Sequence, residues 1–519
     1  MDENVPLVDV REFGARPDGK TLATSAIQAA IDRCGSGGGG TVWFSPGTYL
    51  SGTVTMRSRV ALQLDAGAVL LGSSNKDDFP KRASQTESRT NRYNLRSLIF
   101  AENVDRIAIK GQGEINGNGQ FYKDRRHDGE RPLNLRIINC RDVLIENVTI
   151  GNSGFWNQHY LICERVRVHG IKVWNHATYN VDAIDIDSCR DFIVSDCVFD
   201  SDDDAVCLKG TLDRPCQNVQ ITNCVISSHC NAIKMGTDSS GGFQDVAISN
   251  CSIVSPRNSK AIYGLQRGIS GISLELVDGG RMERIAISNI TIDGVETPVF
   301  IRLGARGVGM FPTEAEIAAA HHVGTIRDVS ISNVIATRAG KTGCAITGIP
   351  GHEIENLTLT NMTIRTEGGG DPSLATRAIG ELHDKYPEAT MFGALPAYGL
   401  FCRHVSGLRL NHILLISESL DHRYALVLDD VDDGEVQGLA ASTAGPDGPP
   451  FAKVVAGRGV TFRGCRPLTP TSAFIEIEGP DCRDVTMIGN DIGHANEPSS
   501  FTKGATSDAL RLAGNLSRE

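Results

Sequence analysis

The stretch from Tyr179 to Gly210, YNVDAIDIDSCRDFIVSDCVFDSDDDAVCLKG, holds nine aspartates in 32 residues, several of them set between isoleucine, valine and cysteine. Charge inside such an apolar alternation is either turn chemistry or a site. Asp182 and Asp203 are 21 residues apart, and Asp204 follows at once. In a chain that coils at about that interval, the two positions fall on adjacent turns and project from one face. Three carboxylates held that close cannot all ionise, because like charges raise one another's affinity for a proton. A proton donor beside proton acceptors is what acid–base cleavage of a glycosidic bond requires. His229 lies one repeat further on, in SSHCNAIKMGT, where an imidazole can hydrogen-bond and orient a carboxylate. Asp185, Asp187, Asp191, Asp196 and Asp200 are read instead as bend or surface residues, since aspartate caps local backbone amides. Asp202 is open to either reading.

The elements that must position these side chains repeat along the chain. CRDVLIENVTI begins at Cys140, CERVRVHGIKV at Cys163, CRDFIVSDCVF at Cys189 and CQNVQITNCVI at Cys216, and the pattern continues from Phe243, Met282, Ile326 and Ile354. Each unit is two short alternating strands parted by a small residue: Asn147, Gly170, Asp196, Asn223, Asn250, Asn289, Asn333 or Asn361. Strands this close, with no helix between them, cannot form ordinary helix-crossover units. Stacking each turn on the last buries the inward valines and isoleucines and satisfies the backbone in parallel ladders. The recurring asparagine falls at one bend, where its amide reaches the next coil. The expectation is an all-β, single-stranded, right-handed parallel β-helix.

Solenoid ends need caps. TSAIQAAIDRCGSGGGG predicts a helix with Thr24 or Ser25 at its N-cap, an apolar face of Ile27, Ala30, Ile31 and Cys34, and a glycine stop. With no linker apparent, residues 1–519 read as one domain. Its cap and first coils occupy about 8–70, regular coils about 100–365, a long loop about 370–400, late coils about 400–495, and a loosely ordered tail 496–519.

Composition narrows the function. The formal net charge of −11 argues against a nucleic-acid surface, and no run approaches the roughly 20 apolar residues of a membrane span. MDENVPLVDVREFGA lacks a basic n-region and an apolar h-region, which points to a cytoplasmic chain or a mature form whose leader has been removed. Most of the fourteen cysteines sit at equivalent repeat positions within apolar alternation, which suits buried thiols better than a disulfide framework.

Around the aspartates the sequence resembles glycoside hydrolase family 28, the polygalacturonase-like enzymes. The N-T-D-G motif of that family appears as NVDA, Asn180 to Ala183; G-D-D appears as Asp203–Asp204, followed by AVCLKG; G-H-G appears as Ser228-His229-Cys230. The N-terminal VREFGARPDGKT and GGGTVWFSPGTYLSG are also typical of the family, and the resemblance runs from about residue 8 to 365. It implies a pectin-lyase-like solenoid in which Asp203 protonates the leaving oxygen while Asp182 and Asp204 hold and deprotonate the attacking water, with inversion. Asn180 would bind substrate.

The glycines of the N-T-D-G and G-H-G motifs are lost, which alters the shape close to the chemistry, and a fourth motif departs further. Where R-I-K holds a uronate carboxylate, this chain has Ser273 and Glu275. An acid there would repel a uronate and suit the hydroxyls of a neutral or deoxy sugar, so a pectic or related saccharide other than plain polygalacturonate is expected. Trp156 and His159 are candidate sugar-facing residues, and Lys209, Lys234, Arg267 and Arg302 could replace the missing cations. Tyr386, Phe392 and Tyr398 could wall off one end of a groove. The partner expected is a carbohydrate, with no nucleic acid or membrane, and hydrolysis calls for no metal or cofactor. Two other readings stay open. One is a lyase or epimerase whose aspartates bind calcium; the other is a non-catalytic carbohydrate-binding β-helix.

Overall fold

The computed structural model describes residues 6–122, 129–256, 266–307 and 323–517. The alternation in the sequence becomes a right-handed parallel β-helix, each strand pairing with its counterparts one coil before and one coil after. Arg141–Glu146, for example, lies parallel to both Asp105–Gly111 and Glu164–His169. One inward column runs Val143, Val166, Phe192, Val219, Val246 and Ile285 in register. None of these is more than 2 % exposed. Each such burial stabilises by about 1.5–3 kcal/mol, so the stack is held by a continuous apolar interior. All fourteen cysteines are free and buried, many of them within that interior.

The bend residues do what their spacing foretold. Asn147, Gly170, Asp196, Asn223, Asn250, Asn289, Asn333 and Asn361 all have left-handed backbone, with φ from 54° to 64°. Glycine, asparagine and aspartate tolerate that region best. The amides also stack: Asn289 donates to Asn250 at 3.0 Å, Asn333 to Asn289 at 3.0 Å and Asn361 to Asn333 at 2.7 Å. A second left-handed column passes through Asp142, Arg165, Asp191, Asn218, Asp245 and Arg284. There arginine and asparagine reach the aspartate of the preceding coil, Arg165 to Asp142 at 2.7 Å and Arg284 to Asp245 at 2.6 Å.

At the N-terminal end, helix α1 (Thr24–Ser36) buries Ile27, Ala30, Ile31 and Cys34 over the first coil. Its N-cap, however, is Ala23, with no side-chain cap. Thr24 Oγ1 instead accepts from the Gly52 amide at 2.7 Å, which ties the helix to the coil rather than to its own first turn. The C-terminal segment expected to be a tail is also ordered. Ala495–Thr502 pairs with Thr471–Glu478, and Leu510–Ala513 with Val485–Ile488. Short strands with few inward valines concealed these coils from periodicity.

The excursion between Gly368 and Ala397 leaves the solenoid and folds back along its outside. Ala389, Phe392 and Leu395 pack on Phe300, Ala345 and Phe401, which point outward from successive coils. Buried Arg302 donates to Glu381 O at 2.7 Å, and the Ala305 amide to His383 O at 2.7 Å. Tethered this way, the excursion presents Tyr386 and Glu388 to a cleft beside it.

Candidate active site

The strands Ile184–Asp187, Val206–Gly210, Asn231–Ser239 and Ser270–Leu276 stack in register, with Ile184 on Val206, Val206 on Ile233 and Ile233 on Ile272. The residues two before each strand contact therefore also stack. Backbone bonds run from Asn157 to Asp182, from Ala183 to Asp204 and from Ala205 to Asn231. Asp182 and Asp204 thus share one outward column, flanked by amides above and below. Asp203 is offset by one residue. Its carbonyl is fixed by the Ser201 and Ser228 hydroxyls at 2.8 and 2.7 Å, and its Oδ1 accepts from the Asp204 amide at 2.8 Å. A carboxylate oxygen of Asp204 lies within 4.8 Å of one on Asp182 and of one on Asp203.

Their proton affinities are driven apart. Burial, with the charges of Asp185 and Asp203, pushes Asp182 well above the usual carboxylate range. Burial also acts on Asp204, but Lys234 and Lys209 with the Asn231 amide outweigh it and hold Asp204 below that range. Lys234 Nζ is 3.0 Å from Asp204 Oδ2, and Lys209 Nζ is 3.4 Å from Asp185 and 3.8 Å from Asp182. Both ammonium groups are buried and stay charged because the acids around them offset the loss of hydration.

A neighbouring column carries His176, Asp202 and His229. Asp202 Oδ1 sits 2.6 Å from His176 Nδ1 and 2.8 Å from His229 Nδ1. His229 therefore engages Asp202, the residue before the acid pair. Burial works against a charge on His176, yet Asp200 and Asp202 raise it to about 9. The three side chains converge closely enough to accept a divalent cation; here both imidazoles are engaged by one carboxylate oxygen.

Several expected site residues line the cleft, of about 430 Å³: Asn180, Asp182, Asp203, Asp204, Lys209 and Lys234. Trp156 forms one wall, with the Lys209 ammonium 4.6 Å from its ring centre and Tyr93 edge-on to it. Others are displaced from their expected roles. His159, expected to face sugar, is 1 % exposed behind Trp156 and hydrogen-bonds Asp187 at 3.2 Å. Ser273 and Glu275 are fully buried; Glu275 accepts from Ser273 at 2.7 Å and Thr237 at 2.9 Å. Ser273 pairs with Lys234 from the next coil, and neither Ser273 nor Glu275 lines the cleft. Asp185 and Asp187 are buried too, not surface residues. Burial raises Asp185 to about 7.

Arg302 holds the Gly348 and Glu381 carbonyls, and Arg267 pairs with Glu367 at 2.5 Å, so both are structural. Phe392 and Tyr398 are buried packing residues, leaving Tyr386, 55 % exposed, as the aromatic on the excursion side of the cleft. Sequence reasoning missed Arg89, Arg306, Asp238 and Glu388. Arg89 and Arg306 both bond Asp238. Their approach comes from segments distant in the chain, and no periodic signal marks them.

A parallel β-helix with three acidic side chains converging in an outward cleft defines the class of protein. The glycosyl hydrolases family 28 model matches residues 51–380, and the chain belongs to that family. A probable polygalacturonase of Vitis vinifera is 32 % identical over 217 residues, 39 % of this chain and 44 % of the relative. An exo-poly-alpha-D-galacturonosidase of Dickeya chrysanthemi is 36 % identical over 123 residues, 22 % of this chain and 20 % of the relative. The chain thus spans less than half the length of these curated relatives. The crystal structure of a hyperthermoactive exopolygalacturonase from Thermotoga maritima superposes with a TM-score of 0.58 at 21 % identity, covering 70 % of this chain and 88 % of that one, which is a likeness of fold.

Proposed function

We propose that the protein is an inverting glycoside hydrolase acting on a pectic or related saccharide, with Asp203 as general acid and Asp182 and Asp204 as the pair that holds and activates water. The observation that carries this reading is the two-plus-one arrangement: Asp182 and Asp204 in one column, one coil apart, with Asp203 offset beside them. Like charges at such separations retain a shared proton. Burial and the neighbouring charges raise the proton affinity of Asp182; the reaction requires a proton on Asp203, which gives it to the leaving oxygen. Water then loses a proton to the ionised Asp204 column while attacking from the opposite face.

A neutral or deoxy sugar at the cleaved position fits the charges better than a uronate. Lys209 and Lys234 are each engaged by buried acids, and Arg89 and Arg306 by Asp238 and Asp278. Glu275, fully buried, lies 3.8 Å from the Lys234 ammonium and helps to hold it. The excursion stands over the outward face of the next coils, which favours attack at a chain end. A screen of pectic oligosaccharides and aryl glycosides, rhamnosides and galacturonides included, with NMR of the first anomer released, tests the reading. Inverted product from a non-uronate substrate is expected. Retained product refutes the mechanism, and cleavage of polygalacturonate alone refutes the substrate class.

A further inference from the structure

Glu388 enters the cleft from the excursion, a segment with no part in the repeat. Its place is fixed by its neighbours in sequence: Pro387 and Ala389 are buried, and Ala389 sits in the apolar cluster with Phe300 and Phe392. The side chain is half-buried, lines the cleft, and faces the Asp204 column. One of its oxygens, Oε1, is buried and has no hydrogen-bond partner. An ionised carboxylate in that position would need donors. The nearest donors, Asn231 Nδ2 and Lys234 Nζ, are shared with Asp204, which they meet at 2.8 and 3.0 Å. An acid left without enough donors keeps its proton, and a protonated carboxyl is itself a donor.

We propose that Glu388 is a substrate-binding residue of the cleft, its carboxylic acid donating a hydrogen bond to a hydroxyl of the saccharide held beside Asp204. The inference rests on the hydrolase reading above and deepens it, since it names a contact made by a loop outside the repeat. The groups around Glu388 set its range. Burial pushes it up to about 8; Lys234 opposes this, while Asp204 and Glu275 reinforce it, and Asn231 contributes a hydrogen bond. Cys230 and, on its own segment, Tyr386 are the other titratable side chains close by. The Cys230 thiol is itself driven well above its ordinary range by burial. Glu388 therefore donates throughout the acidic and neutral range and stops doing so above about pH 8.

The test compares Glu388→Gln with Glu388→Ala on whichever saccharide the wild-type protein cleaves. Glutamine keeps a donor without a titratable proton. At pH 6, E388Q should lose no more than about threefold in kcat/KM, whereas E388A should lose about tenfold, mostly through KM. The rise of KM near pH 8 expected of the wild type should be absent from E388Q, while the alkaline limb of kcat, which reports the general acid, stays. The proposal is overturned if E388Q falls as far as E388A at pH 6, or if the KM of E388Q still rises near pH 8 as in the wild type. Calorimetric binding of the same saccharide to Asp203→Asn, at pH 6 and pH 9.5, gives a second reading that needs neither turnover nor a Glu388 variant. Tighter binding at pH 6 is expected, and equal affinity overturns the proposal. Failure of the hydrolase reading is separate: it would appear as unimpaired turnover by Asp203→Asn, whatever the Glu388 variants do.

Discussion

Replacing Lys234 with methionine removes one ammonium from the centre of the acid cluster while keeping the length and apolar stem of the side chain. Lys234 Nζ lies 3.0 Å from Asp204 and 3.8 Å from Glu275, and the residue is 2 % exposed. At an effective dielectric of about 20, charges at those separations attract by about 5.5 and about 4.4 kcal/mol. Dehydrating the ammonium offsets several kcal/mol of this, and breaking a buried pair from one side costs about 3–5 kcal/mol net. Glu275 already sits above the usual range through burial and will take up a proton in the variant, so the loss should fall near about 3 kcal/mol at pH 7.

The sign of the pH dependence follows. In the wild type Asp204 is held below its ordinary value, so its contribution to stability is present above that value and fades as pH falls through the depressed one. Without Lys234, Asp204 takes its proton at higher pH. The acidic limb of kcat/KM should then move to higher pH, with kcat at pH 5 falling more than at pH 7. Urea denaturation and a pH–rate profile on the substrate from the screen read both effects. A variant that loses stability but keeps the wild-type acidic limb would show that Asp204 is not the titrating base, and the division of roles argued above would fail.

Asp203→Asn should lower kcat by about 10²–10⁴ with little change in saccharide affinity, read by progress curves and calorimetry. His176→Gln should destabilise by about 2 kcal/mol at pH 6, an effect fully present below about 6.5 and lost as pH rises through about 9, read by denaturation at pH 6 and pH 10. At the bend ladder, Asn289→Ala loses two amide bonds and puts a Cβ-bearing residue without a polar side chain at φ 57°, for about 2–3 kcal/mol. Asn289→Gly should lose about half of that in thermal or urea unfolding, and equal losses would mean that the backbone conformation contributes nothing. None of the fourteen thiols should react with a disulfide reagent until the chain is unfolded, as titration of released thiolate would show.

The regular coils were legible because a solenoid writes its structure locally. Inward valines, a left-handed bend and a stacked amide recur at nearly fixed intervals, and each repeat contacts only its neighbours. The same regularity made Asp182, Asp203 and Asp204 recognisable as residues of adjacent coils. What escaped was the finer register. A difference of 21 residues suggested Asp203 as the partner above Asp182, whereas backbone pairing stacks Asp204 there. Asp185 and Asp187 looked like surface charges because polarity alone does not reveal burial under a wall such as Trp156. Glu275 looked like a substrate contact because motif alignment gives a position along the strand but not the depth of the pocket above it.

The sequence by itself determined the coil, its bends, its capping helix and the identity of the acidic cluster, since all of these follow from patterns closed within one or two turns. Tertiary structure decided how the acids divide their proton. Lys209 and Lys234, buried on neighbouring strands, set the field around them, and no spacing rule brings those ammonium groups within 4 Å of the carboxylates. It also decided that a loop more than 180 residues downstream of Asp203 completes the cleft with Tyr386 and Glu388. Proton affinity depends on burial and on distances between charges, and those exist only once the chain has folded.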